Sequence, residues 1–411
     1  MIAKLSKYKD IPQASIFLSG SKSESNRLLI LQALYPDIEI ENIASCDDTT
    51  TLQKALASQE DMLDIHHAGT AMRFLTAYLA ATTQKEITLT GSPSMLQRPI
   101  DPLVAALRDM GAAITYTGAQ GYPPLKIAPS TLSGDATIDA GMSSQYISAL
   151  ALIGPYLKKG LTLTLTGNIT SKPYIDMTLS LLSSIGAKST FKGHDIRILP
   201  LKKSNKVKIA VEGDWSSASY FYSLVALSKK RCVHLSSFKT NSLQADAALA
   251  SLYETLGVTT TAIDSQTIAL SKNDAPLPAG FKADLTPSPD LAQTIAVTCF
   301  GLGIACHLTG LHTLKIKESD RLVALQNELT KLGAVVHITQ DTLLLESHEI
   351  AFGNRTQDIE IATYDDHRMA MAFGVLAELF CITIQDPMVV TKSYPAFYSD
   401  LKKMGIIADF C

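Results

Sequence analysis

The stretch Ser19-Gly20-Ser21-Lys22-Ser23-Glu24-Ser25-Asn26-Arg27 joins the apolar run Ile16-Phe17-Leu18 to the helical run Leu28 to Leu34. A strand that feeds a helix through Gly and small hydroxyl residues leaves first-turn N–H groups unpaired, with roughly +0.5 charge from the helix dipole. Lys22 and Arg27 add two cations there, and the serine hydroxyls add donors that suit a phosphate or carboxylate. The Gly-x-x-x-x-Gly-Lys-Ser spacing of a nucleotide-binding Walker loop is absent. Similar polar patches recur further on, and with the loops near them they contribute Arg73, Arg98, Lys172, Lys317, Arg321, Arg368 and Lys392. So many cations in patches of a chain whose net charge is −3 imply a small, polyanionic substrate.

The elements that carry these patches repeat. Gly69-Thr70-Ala71-Met72-Arg73, Ser143-Ser144-Gln145, Ser216-Ser217-Ala218-Ser219, Ser288-Pro289-Asp290 and Asp365-Asp366-His367-Arg368 each precede a run rich in Ala, Leu and Ile. From Thr70 to Asp290 these starts recur roughly every 73 residues. Each helix predicted there is followed by an alternating strand, such as Leu161 to Thr166, then a polar loop and a second helix. The second helices close on a shared Gly, at Gly111, Gly186, Gly257, Gly333 and Gly405, the residue best able to take the left-handed conformation of a helix stop. Near Leu52 to Asp61 the expected sixth mark is missing, which predicts a trimmed hairpin in the first repeat. The pattern predicts six β-α-β-α-β-β repeats, three per domain. If the first helices of a domain run parallel, their positive ends converge on the gap between domains.

Composition bounds the rest. A chain of 411 residues, 46% hydrophobic and 18% charged, is too long for one core and divides most simply into two domains of about 200 residues. A pI near 6.3 gives no general attraction to nucleic acid or to an anionic membrane. No stretch approaches the ~20 apolar residues of a membrane span, so a cytoplasmic protein is expected. The six cysteines are scattered without metal-ligand spacing, so neither zinc nor a disulfide framework is expected.

Gly20-Ser21-Lys22-Ser23 with Asn26-Arg27, Ala68 to Arg73, Arg98-Pro99-Ile100, Ser143-Ser144-Gln145, Ser171 to Asp176, Glu212-Gly213-Asp214, Lys317 to Arg321 and Asp366 to Ala370 together resemble the EPSP synthase family of enolpyruvyl transferases. The match runs in order over nearly the whole chain. It implies an α/β fold, the two-domain inside-out barrel of six repeats, with domains at 20–211 and at 1–19 plus 212–411. It further implies transfer of the enolpyruvyl group of phosphoenolpyruvate to the 5-hydroxyl of shikimate 3-phosphate in a site between the domains. No metal or cofactor, no nucleic acid and no membrane partner is implied, and a monomer is expected.

Carried over by residue, the resemblance implies that Lys22, Ser23, Arg27, Ser143, Ser144, Gln145, Ser171, Tyr174, Asp290, Thr313 and Lys317 hold shikimate 3-phosphate. Phosphoenolpyruvate falls to Lys22, Gly69, Arg98, Gln145, Arg321, Arg368 and Lys392. Asp290 is implied as the base at the 5-hydroxyl, Glu318 as the group that protonates the methylene and later takes a proton back, and Lys22 as the cation at the bridging oxygen. Glyphosate is expected to compete with phosphoenolpyruvate, with room left by the missing side chain of Gly69. Glycines at both domain crossings, Gly20 and Gly213, are expected to absorb hinge rotation, with Trp215 as the reporter of closure.

Departures from the family pattern are His67 for Asn, Phe74 for Pro, Asp365 for Asn, and Thr313 for an Asn that contacts the shikimate phosphate. Two rival readings are a sister transferase acting on UDP-N-acetylglucosamine and a non-catalytic phosphometabolite-binding protein. The first typically carries a Cys in the loop before Arg-Pro, where this chain has Ser92 to Gln97; the second could dispense with Asp290, Glu318 and Lys22, all present here.

Overall fold

The computed structural model describes residues 1–239, 241–348 and 359–411. The chain divides into two compact units, Gly20–Val211 and Met1–Ser19 with Glu212–Cys411.

Helices Ser144–Ile153, Trp215–Leu227 and Ala292–Leu302 are built of apolar and small residues nearly all round and are buried, while the alternating strands keep one face in water. Strand Leu161–Thr166, of sequence LTLTLT, buries its leucines and turns its threonines outward. Helix Ala292–Leu302 is buried from Ala292 to Gly301. Such helices belong inside and such sheets outside, which is the inside-out arrangement. Small hydroxyl residues let the buried helices approach closely and satisfy one another. Ser219 pairs with Thr294 at 3.1 Å and Ser223 with Thr298 at 2.7 Å, a ladder at i and i+4 between helices Trp215–Leu227 and Ala292–Leu302.

The sheets show the repeat plainly. In the larger unit, strand Gln13–Phe17 lies parallel to Cys232–Ser236, which continues antiparallel to Thr267–Lys272 and then Val258–Ala262. Strands Gly280–Asp284, Ala305–Thr309, Leu343–Leu345 and Val336–Ile338 repeat that order. In the third sheet, Glu360–Ile361 lies parallel to Ile382–Gln385, and the amino-terminal strand Ile2–Lys7 fills the next position, beside Ile406–Phe410. The smaller unit has two such sheets, and a third of two strands, Val207–Ala210 beside Ile38–Glu41. That pair corresponds to the trimmed first repeat.

All five glycine stops adopt positive φ, between +86° and +104°. The fold departs from expectation in its last repeat, where helix His367–Gly374 is shorter than the apolar run and passes into a 3₁₀ turn, Val375–Glu378. Gly374 lies against the Phe397 ring, 3.2 Å from where a Cβ would stand. The glycines at the crossings also have a packing reason of their own. Gly20 is required because a Cβ there would collide with the Asn42 carbonyl and with Val211, and Gly213 lies against Phe238; neither has positive φ. Trp215 is buried, its Nε1–H donating to Glu212 Oε1 at 2.7 Å and its ring edge-to-face with Phe238 at 4.8 Å. Both partners belong to its own unit.

Candidate active site

In the unit Gly20–Val211 the predicted anion ligands gather at helix starts. Gly69 opens helix Gly69–Thr82, and a Cβ there would stand 2.8 Å from Nη1 of both Arg73 and Arg98. Two guanidiniums thus flank a bare backbone, an arrangement suited to a carboxylate or phosphate. Arg73 is anchored by donating to the Gly69 carbonyl at 2.7 Å and lies over the Tyr146 ring. Tyr146 donates to the Pro99 carbonyl at 2.6 Å, tying helix Ser144–Ile153 to the segment that carries Arg98. At the start of that helix Ser143 accepts from Gln145 N–H, and the Gln145 Oε1 is buried without a partner among the described residues. Lys22 lies 3.1 Å from Asp48. Ser171 sits in the left-handed region at φ +50°, a conformation that costs a non-glycine residue energy and clusters at functional positions.

Two predicted members behave differently from free ligands. The Arg27 guanidinium is buried and donates to Thr178 Oγ1 at 2.7 Å, Ser148 Oγ at 3.0 Å and the Ser23 and Tyr174 carbonyls at 2.8 and 3.3 Å. It also lies over the Phe74 ring at 5.4 Å and the Tyr174 ring at 6.0 Å. Burial lowers its pKa to about 10, with Tyr174 and Glu24 opposing the shift. In this structure Arg27 holds Ser23 and Tyr174 in place, and Phe74, the departure from Pro, supplies the apolar face beneath it. Lys172 is exposed and paired with Asp176 at 2.7 Å, apart from the buried patches. His67 is exposed.

In the larger unit the titratable groups interlock around Arg321, which opens helix Arg321–Lys331. Its Nη1 reaches Asp290 at 2.8 Å, its Nη2 Glu318 at 3.1 Å and its Nε Asp366 at 2.6 Å. One buried guanidinium therefore meets three carboxylates. Asp290 is also held by Arg368 at 3.1 Å and Lys317 at 3.5 Å, and Glu318 by Lys392 at 2.7 Å. Burial alone would raise the Asp290 carboxyl, but Arg368, Lys317 and Arg321 outweigh it and hold the group well below the usual carboxylate range. Burial lowers Lys317, with Asp290 opposing the shift. The Thr313 hydroxyl is buried with no partner among the described residues.

Sequence reading gave no role to the groups behind these residues. Asp366 caps helix His367–Gly374 through Arg368 N–H and turns both oxygens to Arg321. Ser216 accepts from Arg368 at 3.2 Å and donates to Asp246, a carboxyl that burial raises to about 6. Asp366 had a signal, an acid at a helix start ahead of His367-Arg368; Asp246, in a short 3₁₀ turn after a loop, had none.

A family model described as EPSP synthase (3-phosphoshikimate 1-carboxyvinyltransferase) matches residues 51–401. The chain belongs to the EPSP synthase family. A Bacteroides fragilis member named 3-phosphoshikimate 1-carboxyvinyltransferase is 44% identical over 397 residues, covering 96% of this chain and 95% of the relative. A member of the same name from Actinobacillus pleuropneumoniae is 34% identical, covering 96% of each. The fold is that of the solved Acinetobacter baumannii EPSP synthase, with a TM-score of 0.79 at 22% identity over 100% of this chain and 99% of that one. No helix among the described residues is long and apolar enough to cross a membrane.

Proposed function

We propose that this protein transfers the enolpyruvyl group of phosphoenolpyruvate to the 5-hydroxyl of shikimate 3-phosphate and releases phosphate, a step of aromatic biosynthesis. The observation that carries this reading is the shared grip of Asp290 and Glu318 on one guanidinium, amid Lys317, Arg368 and Lys392. A base and an acid must work on one substrate pair, and cations must neutralise the phosphate that leaves.

In this reading the unit Gly20–Val211 and the unit of Met1–Ser19 with Glu212–Cys411 close on the substrates, and the protein carboxylates exchange partners with substrate anions. Substrate phosphate and carboxylate compete for Arg321, Arg368, Lys317 and Lys392. Asp290 then accepts the 5-hydroxyl proton as that oxygen bonds to C2 of phosphoenolpyruvate, and Glu318, entering this step as the carboxylic acid, delivers its proton to C3. The tetrahedral ketal phosphate collapses when the C2–O bond to phosphate breaks, and the departing phosphate carries away the proton that Asp290 had accepted. Glu318 takes a proton back from the methyl carbon, restoring the double bond. Lys22 offsets charge at the bridging oxygen, and the Gly69 backbone with Arg98 receives one end of phosphoenolpyruvate. Ser143, Ser144, Gln145, Ser171, Tyr174 and Thr313 face the ring hydroxyls and phosphate of shikimate 3-phosphate, with Arg27 fixing Ser23 and Tyr174. The enzyme acts as a monomer in the cytoplasm.

The test is phosphate release with both substrates and with each omitted in turn. Release that requires both supports the reading. Release with UDP-N-acetylglucosamine in place of shikimate 3-phosphate, or binding without turnover, overturns it.

A further inference from the structure

A groove of about 860 Å³ lies on the outer side of the third repeat of the Gly20–Val211 unit, between helix Lys172–Ser184 and the hairpin of Ser189–Lys192 with Asp195–Ile198. That helix packs inward on helices Lys22–Leu34 and Ser144–Ile153, and Leu179 and Ser180 face the groove together with Thr190 and Phe191 of the hairpin. The groove's apolar surface comes from Leu179, Phe191 and Leu199; Leu199 is 43% exposed. Two cations, Lys188 and Arg197, stand in its lining, and neither makes an ion pair or side-chain hydrogen bond among the described residues. Its one acid, Asp176, is already neutralised by Lys172. The volume falls within the range of small-molecule sites, which pair an apolar lining with a few polar groups that set orientation.

We propose that this groove binds a small amphipathic organic anion, an aryl or alkyl carboxylate or sulfonate, whose apolar body lies along Leu179, Phe191 and Leu199 and whose charged end meets Lys188 and Arg197. None of these residues belongs to the substrate set, so the site is separate from the transferase chemistry. Charge selects the occupant: a cationic or neutral apolar molecule would leave both cations unpaired beside it.

The test uses 8-anilinonaphthalene-1-sulfonate as the probe on the full chain, read by dye fluorescence, which is independent of enzyme activity. Saturable binding is expected at one site. The double variant Lys188→Glu/Arg197→Glu should weaken it by about tenfold or more, near 1.4 kcal/mol, and Leu179→Gln should weaken it in the same direction. Reversing two cations outside the groove, Lys158→Glu/Lys202→Glu, should leave it unchanged. Thermal unfolding of each variant confirms that the fold survives. Absence of saturable binding, or equal affinity in both groove variants and the parent, overturns the proposal. Displacement of the dye by poly-glutamate at lower concentration than by 4-phenylbenzoate would also overturn it, marking a docking face for an acidic polypeptide.

Discussion

Replacing Gly69 by Ala tests the anion clamp directly. Gly69 has no positive φ, so its backbone accepts Ala, and as the first residue of a helix it gains up to about 1 kcal/mol of propensity. The fold should therefore hold or tighten. The new methyl would stand 2.8 Å from Nη1 of both Arg73 and Arg98 and 3.9 Å from Met95 Cε. Ordinary separation is nearer 3.5 Å, so each guanidinium must retreat by about 0.7 Å, and the methyl itself occupies space at the bare backbone. Displacements approaching 1 Å in a positioned clamp cost on the order of 10²-fold, or about 2.7 kcal/mol of transition-state stabilisation. The expected result is a fall of about that size in kcat/KM for phosphoenolpyruvate, with the KM of shikimate 3-phosphate little changed. Glyphosate should compete with phosphoenolpyruvate in the parent and more weakly in the variant. Phosphate-release kinetics and thermal unfolding measure these effects. A kcat/KM for phosphoenolpyruvate within about threefold of the parent, with the melt unchanged, would refute the claim that Gly69 and Arg98 form the phosphoenolpyruvate end of the site.

Asp290→Asn and Glu318→Gln should each lower kcat by on the order of 10²-fold while shikimate 3-phosphate still binds, measured by calorimetry beside turnover; near-parental turnover in either contradicts its role. Asp246→Asn should stabilise the protein above neutral pH. A carboxyl raised to about 6 in the fold contributes stability only while protonated, so the parent should lose about 3 kcal/mol between pH 4 and 6 that the variant keeps, read by chemical denaturation across that range. Asp290, held low, gives the opposite sign: its contribution is present above about pH 4 and is lost on further acidification, so Asp290→Asn should flatten the acid limb of the stability curve. Shikimate 3-phosphate with glyphosate is expected to reduce the small-angle scattering radius with little change in Trp215 emission, because that ring is fastened to Glu212 and Phe238; an unchanged radius at saturation would count against closure.

Periodicity and punctuation in the sequence were enough to determine the repeat, because helix stops and strand alternation are local. Gly111, Gly186, Gly257, Gly333 and Gly405 marked the ends of second helices without any knowledge of packing, and all take the positive φ that favours glycine. The missing mark after Leu52 foretold the two-stranded sheet of Ile38–Glu41 and Val207–Ala210. The cation-bearing helix starts were legible for the same reason, since a cap and its first turn lie within a few residues of each other. Only the tertiary structure decided which partners those cations keep. Arg321 meets Asp290 from 31 residues earlier and Asp366 from 45 residues later, and Arg27 donates to Ser148 and Thr178 more than a hundred residues away. The same holds for Gly20, whose need for glycine comes from the Asn42 carbonyl and Val211. Local signals record what a residue does to its own backbone; the charge state of a buried acid or the fixity of a guanidinium is the sum of desolvation and contacts from distant segments, and that sum exists only once the chain has folded.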